Sequence, residues 1–253
     1  MLEGRAPDVE QSQFFLEFPI SPDYSFSSFV ATGENRLVRQ EIINFNARSG
    51  GCLTLVGEAG TGKTHLLNAA VVLGNKSDVR APNPQAIYLH PRTLLKQLHD
   101  QPKEEDLSIL LTRYSHYALV AIDDLDWLEG SQALQEAVLF LFNHIRGLGK
   151  KLLLASAIAP QEMAWLREDL RSRLLWGELL TLSAPLDEEL GIILEKMAQD
   201  RQIRLSPKLI QFLMLRLPRR VPDYARAMAE LDRAGMALKK KLTVPLAKKV
   251  LNL

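Results

Sequence analysis

The chain has 253 residues, a length that suggests about one or two domains. Hydrophobic residues make up 47% and charged residues 24%, which is ordinary globular composition and excludes a disordered or fibrous protein. The 31 Lys and Arg against 30 Asp and Glu leave a net charge of +1, so overall charge does not draw the chain to nucleic acid or to anionic membranes.

The cysteine content and the apolar runs indicate the cellular compartment of the protein. The single cysteine, Cys52, excludes an internal disulfide framework and a multi-cysteine metal site, and it favours a reducing compartment. The N-terminus is acidic and contains a proline, whereas a signal peptide needs a basic start and an apolar run. The longest apolar run, 152–159, is shorter than the about 18 residues of a membrane span. We therefore expect a cytoplasmic protein without membrane attachment.

The predicted elements alternate between helices and short apolar strands. After a first helix, for which Asn35 is the expected cap, the apolar runs predict strands at 52–56, 86–89, 118–122, 152–155 and 179–182. Helical periodicity fills the gaps at 63–73, 93–99, 107–114, 132–147 and 161–170. This alternation is typical of a parallel sheet covered on both faces by helices. After Pro185 only helical patterns continue, which predicts a small all-helical unit at the end.

A phosphate-binding loop follows the first predicted strand. The spacing G-x-x-x-x-G-K-[ST] is matched by Gly57, Glu58, Ala59, Gly60, Thr61, Gly62, Lys63 and Thr64. The glycines let successive backbone N–H groups face the phosphates, and the helix that follows adds its positive end. Lys63 is expected to reach the outer phosphates, and the Thr64 hydroxyl to bind Mg²⁺. The alternative is a glycine-rich turn between a strand and a helix without a ligand.

Two carboxylates follow a second buried strand. Asp123 and Asp124 end the apolar run 118–122. Asp123 is expected to hold Mg²⁺, directly or through water, and Asp124 to orient or polarise the attacking water. Two acids after a strand also begin ordinary turns, so the prediction depends on their pairing with the phosphate-binding loop.

Several segments resemble the AAA+ ATPases, and among them the bacterial replication initiator DnaA. The similar segments are Gly-Lys-Thr-His-Leu-Leu-Asn-Ala at 62–69, Ile-Asp-Asp-Leu-Asp-Trp-Leu at 122–128, Leu-Arg-Ser-Arg-Leu-Leu-Trp-Gly at 170–177 and Tyr-Ser-Phe-Ser-Ser-Phe-Val at 24–30. The stretch 231–245 resembles the Hda-type truncated homologues of DnaA, and the sequence ends at Leu253 without room for the initiator's DNA-binding domain. His65 joins the nucleotide-contacting residues by this resemblance.

The resemblance implies a fold and a domain division. The fold is the AAA+ α/β fold, a parallel five-stranded sheet flanked by helices and followed by a helical lid. The division is a flexible N-terminal segment at 1–25, a nucleotide-binding domain at 26–185 and the lid at 186–253, with ADP or ATP and Mg²⁺ as cofactors at the junction.

The resemblance also implies a function. Hda-type proteins bind the DNA-loaded sliding clamp of the replicative polymerase and stimulate ATP hydrolysis by DnaA, which prevents re-initiation. The expected partners are therefore the clamp and DnaA, with DNA contacted indirectly through the clamp and self-association into a homodimer or oligomer as a further option.

The clamp is expected to bind a short motif near the N-terminus. Gln13, Phe14, Leu16 and Phe18 resemble the clamp-binding hexapeptide, in which a glutamine makes polar contacts and apolar side chains fill a pocket. Phe14 stands where a leucine is usual. The alternative is a segment that packs on its own domain.

Arg173 aligns with the arginine finger of the family. A guanidinium offered across an interface neutralises charge on a transferring phosphoryl group, an effect of roughly 10³-fold or more. A solvated helix charge is the alternative. Trp176 and Gly177 are expected to turn the chain and to pack at the start of the next strand.

Two family positions carry unusual residues. Ala157 stands where a polar or acidic sensor is normal, with Ser156 as a weak substitute, and Pro222 stands where the lid carries an arginine. Arg219, Arg220 or Arg226 are the neighbouring candidates for a phosphate contact. We therefore expect nucleotide binding with slow or absent hydrolysis by the protein alone. The alternatives are a stand-alone ATPase of the helicase-loader type and a DnaA-like localisation scaffold.

Overall fold

A computed structural model describes residues 24–76, 84–99, 106–238 and 241–253. The strands are β1 (Gly51–Val56), β2 (Ala86–Leu89), β3 (Leu119–Ile122), β4 (Lys151–Ser156) and β5 (Glu178–Thr181). The first six helices are α1 (Asn35–Ala47), α2 (Lys63–Lys76), α3 (Pro91–His99), α4 (Asp106–Tyr114), α5 (Gln132–Gly147) and α6 (Glu168–Leu174). The last four are α7 (Asp187–Asp200), α8 (Pro207–Arg216), α9 (Val221–Leu238) and α10 (Val244–Leu251).

The five strands form one parallel sheet in the order β2-β3-β4-β1-β5. Its centre is the β1–β4 pair, in register from Gly51 opposite Lys151 to Val56 opposite Ser156. Both central strands are almost entirely buried, as expected for parallel strands covered on both faces. The carboxyl ends of all five strands therefore lie along one edge of the sheet, where the loops after β1 and β3 meet.

Side chains alternate between two apolar cores, one on each face of the sheet. Along β4, Leu152 and Leu154 pack into the core under α3, α4, α5 and α6, whereas Leu153 and Ala155 pack into the core under α1 and α2. A third core, separate from these, holds α7 to α10 together around the buried Tyr224. The predicted fold, a parallel five-stranded sheet between helices followed by a helical lid, is confirmed.

Two local predictions were wrong. The predicted helix at 161–170 is a 3₁₀ turn, Pro160–Glu162, followed after a break by α6. The backbone N–H of Arg167 donates to the side chain of Gln135 at 2.9 Å, so it is committed outside any helix at that point. Asn35 is the first residue of α1 and does not cap it, because Glu34 occupies the cap position.

The side chain of Asn35 bonds the backbone of a distant residue instead of capping the helix. It is buried, and it exchanges two hydrogen bonds with the backbone of Ser183, donating to the carbonyl at 2.9 Å and accepting from the N–H at 3.1 Å. Ser183 lies between β5 and α7, so Asn35 fixes the connection that leads into the lid. Among the described residues, no helix is long and apolar enough to cross a bilayer.

Candidate nucleotide-binding site

The loop between β1 and α2 is a narrow cradle of backbone. Gly60 and Gly62 have φ angles of +87° and +103°, a region that residues with a Cβ rarely occupy. Gly57 lies against the chain that follows β5, since a Cβ there would be 2.6 Å from the carbonyl oxygen of Leu182. These three positions need glycine for conformation or for space, as a loop that wraps around phosphates requires.

Lys63, the first residue of α2, is buried at the base of this cradle. Its ammonium group donates to the backbone carbonyls of Gly57 and Glu58, and the Thr61 hydroxyl also donates to Glu58, at 3.0 Å. A buried cation whose hydrogen-bond acceptors are neutral carbonyls, at the positive end of a 14-residue helix, suits a polyphosphate chain. The loop residues present therefore fit a nucleotide.

Asp123 meets Thr64 across the edge of the sheet. β1 and β3 are two strand spacings apart, about 10 Å, and the first turn of α2 spans that gap so that the Thr64 hydroxyl bonds the Asp123 carboxylate. The Tyr88 hydroxyl donates to Asp123 at 2.7 Å, and the backbone N–H of Asp124 donates at 2.9 Å. Burial raises the pKa of Asp123, and the bonds from Thr64 and Tyr88 oppose that rise.

Asp124 has a different environment from its neighbour. It has the left-handed backbone angles φ 43° and ψ 56°, and it lines the cleft. Its carboxylate lies 3.4 Å from Nε2 of His90, and this contact is the main reason why the pKa of Asp124 falls below its usual value, with the charge of Lys63 contributing in the same direction. The two adjacent acids therefore have opposite pKa shifts, because burial dominates at Asp123 and the contact with His90 dominates at Asp124.

The cleft in front of the loop has a volume of about 670 Å³, which is within the range of small-molecule sites. One wall is the segment that precedes α1. Phe29 lies against Gly62, where a Cβ would be 2.6 Å from the ring. The ring of His65 lies 5.1 Å from that of Tyr24 and 5.3 Å from that of Phe29, and its Nε2 donates to the carbonyl of Ser25 at 2.9 Å.

The lid forms the opposite wall. Ile193, Met197, Asp200 and Arg201 of α7 and its cap line the cleft together with the first residues of α9. Pro222 lies directly on the phosphate-binding loop, because a Cβ built on Gly60 would be 2.9 Å from its Cδ. Pro222, at the position where the resemblance implies an arginine, is therefore an apolar contact.

The neighbouring arginines do not take over this position. None of the three candidates lines the cleft; Arg219 pairs with Asp187, and both Arg220 and Arg226 pair with Asp223. The structure therefore does not support the prediction that one of them replaces the lid arginine. The lid arginine that lines the cleft is Arg201.

The sensor position after β4, occupied by Ala157, also lacks a side chain that could contact a phosphate. Ser156 is buried, its hydroxyl donates to the Ile158 carbonyl at 2.7 Å, and it does not line the cleft. Ala157 uses its backbone N–H to donate to the Asp126 carboxylate at 2.6 Å. The expected weak substitution by Ser156 is therefore not supported by its hydrogen bonding.

Arg173 lies away from this cleft. It is in the last turn of α6, which leads into the start of β5, and Glu178 of β5 pairs with Leu53 near the beginning of β1. The phosphate-binding loop follows the other end of β1, so the two features lie toward opposite edges of the sheet. The guanidinium lies 4.0 Å over the ring of Trp176, and Nε donates to the Asn143 side chain at 3.0 Å.

The expected packing of the residues after α6 is half right. A Cβ at Gly177 would be 2.7 Å from the carbonyl oxygen of Cys52, so only glycine fits where β5 begins. Trp176, however, is 65% exposed and does not pack into the domain. The four predicted clamp-binding residues, Gln13, Phe14, Leu16 and Phe18, lie outside the described residues.

Two cleft residues, Met197 and Arg201, carried no signal in the sequence. Like Phe29 and Pro222, they reach the cleft through contacts between segments far apart in the chain. The described ranges contain no cluster of three or more His, Cys, Asp or Glu side chains that could hold a metal ion. The pair Thr64 and Asp123 fits Mg²⁺, which usually keeps several water ligands and takes few from protein.

Comparison with known families identifies both parts of the chain. The family described as "Bacterial DnaA ATPAse domain" matches residues 20–181, and the family described as "Hda, lid domain" matches residues 187–251.

Relatives of known name agree with these matches. The replication initiator DnaA of Herpetosiphon aurantiacus is 30% identical over 201 residues, covering 78% of this chain and 42% of that protein. DnaA of Symbiobacterium thermophilum is 28% identical over 98% of this chain and 54% of its own length. The chain thus spans about half the length of these DnaA relatives. An uncharacterized protein of Haemophilus influenzae is 33% identical, with 78% of this chain and 80% of that protein covered.

Solved structures show the same fold. Domain III of DnaA from Thermotoga maritima superposes with a TM-score of 0.81 at 24% identity, covering 93% of this chain and 98% of that one. AMPPCP-bound DnaA from Aquifex aeolicus gives a TM-score of 0.71 at 22% identity, covering 87% of this chain and 68% of that one.

Proposed function

Because this chain belongs to the DnaA family of AAA+ proteins and joins a DnaA-type ATPase domain to an Hda-type lid, we propose that it regulates DnaA and thereby replication initiation. In this proposal it is an adaptor that binds nucleotide, docks on the sliding clamp and stimulates ATP hydrolysis by DnaA. The observation that carries the proposal is the position of Arg173, which lies outside its own nucleotide cleft, half-buried at the end of α6 beside the exposed Trp176.

The nucleotide in the cleft would be ADP or ATP, with Mg²⁺. Lys63 and the backbone of the loop would hold the phosphates, Thr64 and Asp123 the metal ion, and Asp124 the attacking water. The metal ion supplies charge neutralisation between the phosphates when it is bound. Pro222 offers no charge to an outer phosphate, and Ala157 offers no polar side chain, so we expect slow hydrolysis by this chain alone.

Nucleotide in this cleft would have a structural effect. The cleft lies between the segment before α1, the phosphate-binding loop and the lid, so a bound nucleotide would touch all three. It would set the angle between lid and α/β domain, and anything that binds only the folded, closed form stabilises it.

Arg173 would act on the nucleotide of a neighbouring molecule. Its guanidinium would approach the phosphates of ATP-loaded DnaA and neutralise the charge that develops during hydrolysis, an effect of about 10³- to 10⁵-fold when an arginine finger is supplied in trans. The clamp motif at 13–18 would concentrate the protein at DNA that has been replicated, and it would do so without a DNA contact of its own.

The test is a reconstituted reaction that contains an ATP-loaded DnaA initiator, the sliding clamp on DNA and this protein. We expect DnaA hydrolysis to rise on addition of the wild-type chain and to stay at its basal rate with Arg173→Ala. The matched control is Arg171→Ala, which removes an arginine from the same helix turn and should keep most of the stimulation. Unchanged DnaA hydrolysis with the wild-type chain would contradict the proposal.

The clamp contact has its own test. Binding of the wild-type chain to the isolated clamp is compared with a variant that carries Gln13→Ala, Leu16→Ala and Phe18→Ala. We expect micromolar binding that the triple variant loses, whereas Arg173→Ala should bind the clamp normally. Equal clamp binding by the wild-type chain and the triple variant would place the contact elsewhere on the molecule.

A further inference from the structure

We propose that Trp176 is a positioning residue for Arg173, which holds the guanidinium in place for the phosphate of a partner's nucleotide without neutralising its charge. The inference rests on the proposed function, since it takes Arg173 to be the group that acts in trans. It assigns a role to an exposed aromatic side chain that the packing of the domain does not explain.

The backbone fixes the ring of Trp176 beside Arg173. The N–H of Trp176 donates to the carbonyl of Arg173 at 3.1 Å, which closes a tight turn at the end of α6. The next residue, Gly177, lies directly on the backbone of Cys52. The backbone at Trp176 and Gly177 is therefore held in place, and from this position the indole lies 4.0 Å from the guanidinium.

The exposure of Trp176 calls for an explanation. Large aromatic side chains usually bury most of their surface, yet this indole is 65% exposed. Leu175, beside it, is 47% exposed, so the end of α6 presents apolar surface around a cation. Exposed aromatic groups next to an arginine are typical of surfaces that another protein covers.

The charges nearby are arranged so that Arg173 remains a full cation. Of the three acids within five positions of it, Asp169 pairs with Arg167, at 2.7 Å, and Glu178 pairs with Arg48, so two of them are held by other arginines. A carboxylate on Arg173 would neutralise the charge that a phosphoryl group needs. An aromatic face attracts the guanidinium and leaves its net charge and its N–H donors intact.

The two contacts of Arg173 use its Nε and one face of the guanidinium, and they leave the two terminal nitrogens uncovered. Asn143 takes the Nε edge at 3.0 Å, and Trp176 covers one face. Among the described residues neither terminal nitrogen of Arg173 makes a hydrogen bond, so both are available for two parallel bonds to phosphate oxygens. A guanidinium that is already oriented loses less conformational freedom when it reaches the partner's nucleotide.

The experiment measures DnaA hydrolysis as a function of the concentration of this protein, so that the maximal stimulated rate and the half-saturating concentration are obtained separately. We expect Trp176→Ala to lower the maximal rate by about 2- to 30-fold, the range that follows from the usual strength of a cation–π contact. Trp176→Leu keeps apolar area without an aromatic face and should show a similar loss. Trp176→Phe should recover most of the rate.

The matched control is Leu175→Ala, which removes neighbouring exposed apolar surface and should raise the half-saturating concentration without changing the maximal rate. Thermal unfolding of every variant shows that the domain is folded, and Trp176→Phe keeps the test decisive where Trp176→Ala does not fold. Full maximal stimulation by Trp176→Leu would overturn the inference while the proposed function stands. If Arg173→Ala itself stimulates normally, it is the proposed function that fails.

Discussion

Alanine at Gly60 tests the contact between the lid and the phosphate-binding loop. The added Cβ would be 2.9 Å from Cδ and 3.2 Å from Cγ of Pro222, distances at which one of the two segments must move. Gly60 also has a φ angle of +87°, which an alanine adopts only under strain. The substitution therefore strains the loop and pushes the lid away from it.

The expected loss of nucleotide affinity in Gly60→Ala follows from the backbone strain and from the clash with Pro222. A residue with a Cβ in this backbone region costs about 1–3 kcal/mol, and without nucleotide the loop can relax to avoid that cost. Nucleotide binding must restore the strained conformation, so the affinity should fall by about 5- to 150-fold at about 1.36 kcal/mol per factor of ten. The clash with Pro222 pushes the lid away from the loop, so it lowers the affinity further if the lid contacts the bound nucleotide.

A double-mutant cycle separates the clash from the strain. Affinity for a fluorescent ADP analogue is measured for Gly60→Ala, Pro222→Ala and the double variant. Pro222→Ala removes the ring that collides, so part of the loss caused by Gly60→Ala should disappear, with a coupling of about 0.5–3 kcal/mol between the two positions. Gly130→Ala is the matched control, because Gly130 has a φ angle of +74° and nothing within 4 Å of its added Cβ.

Additive losses of binding free energy in the two single variants would refute this reasoning. If the losses from Gly60→Ala and Pro222→Ala simply add, within the about 0.3–0.5 kcal/mol usual for independent sites, the lid does not rest on the loop in solution.

Three further results are expected. Lys63→Met should weaken ADP binding by about 10- to 150-fold, the value of a charge-assisted hydrogen bond, without lowering the thermal stability of the nucleotide-free protein, as titration and melting curves would show. Thr64→Val keeps the side-chain size but removes the hydroxyl that bonds Asp123, so its ADP affinity should match that of the wild type in EDTA and no longer rise with Mg²⁺. Burial raises the pKa of Cys52 from 9.0 to about 12, so alkylation at pH 8 should be about 10³-fold slower in the folded than in the unfolded protein, as mass spectrometry of iodoacetamide adducts would measure.

The nucleotide site could be predicted from the sequence because its parts are local. The loop from Gly57 to Thr64 is continuous, and Asp123 follows a strand whose apolar run ends immediately before it. A parallel sheet brings the ends of such strands to one edge, so the meeting of Thr64 with Asp123 follows once the strands are assigned. The separation of only two strand spacings between β1 and β3 depends on the strand order, which the structure supplies.

The walls of the cleft could not be predicted in this way. Phe29 reaches Gly62, and Pro222 reaches Gly60, across 33 and 162 positions of the chain respectively, and neither contact has a local pattern. The identity of Pro222 even favours a simpler interpretation, since proline near the start of a helix needs no other reason. Only the placement of the lid shows that this ring lies on the loop.

The wrong helix at 161–170 shows the limit of periodicity. Met163, Leu166 and Leu170 have helical spacing and all three are buried, so the pattern correctly identified the apolar side chains. The backbone between them is nevertheless broken, because the N–H of Arg167 bonds the side chain of Gln135 on α5. A hydrogen bond from another helix decided the local conformation, and burial alone does not reveal it.

The positions of Lys63 and Arg173 determine which kind of contact the proposed function requires. Lys63 follows the carboxyl end of β1, whereas α6 delivers Arg173 to the start of β5, which pairs near the opposite end of the same strand. Arg173 does not line its own cleft, so the proposed function does not have it act on the phosphates of its own chain. The surface that carries Arg173 must therefore meet a cleft on another molecule, and because these two surfaces differ, the contact is head-to-tail. In the proposed function such a contact has a direction: the chain that offers Arg173 would act on the nucleotide of its neighbour, while its own nucleotide, beneath Pro222, would be left to set the position of the lid.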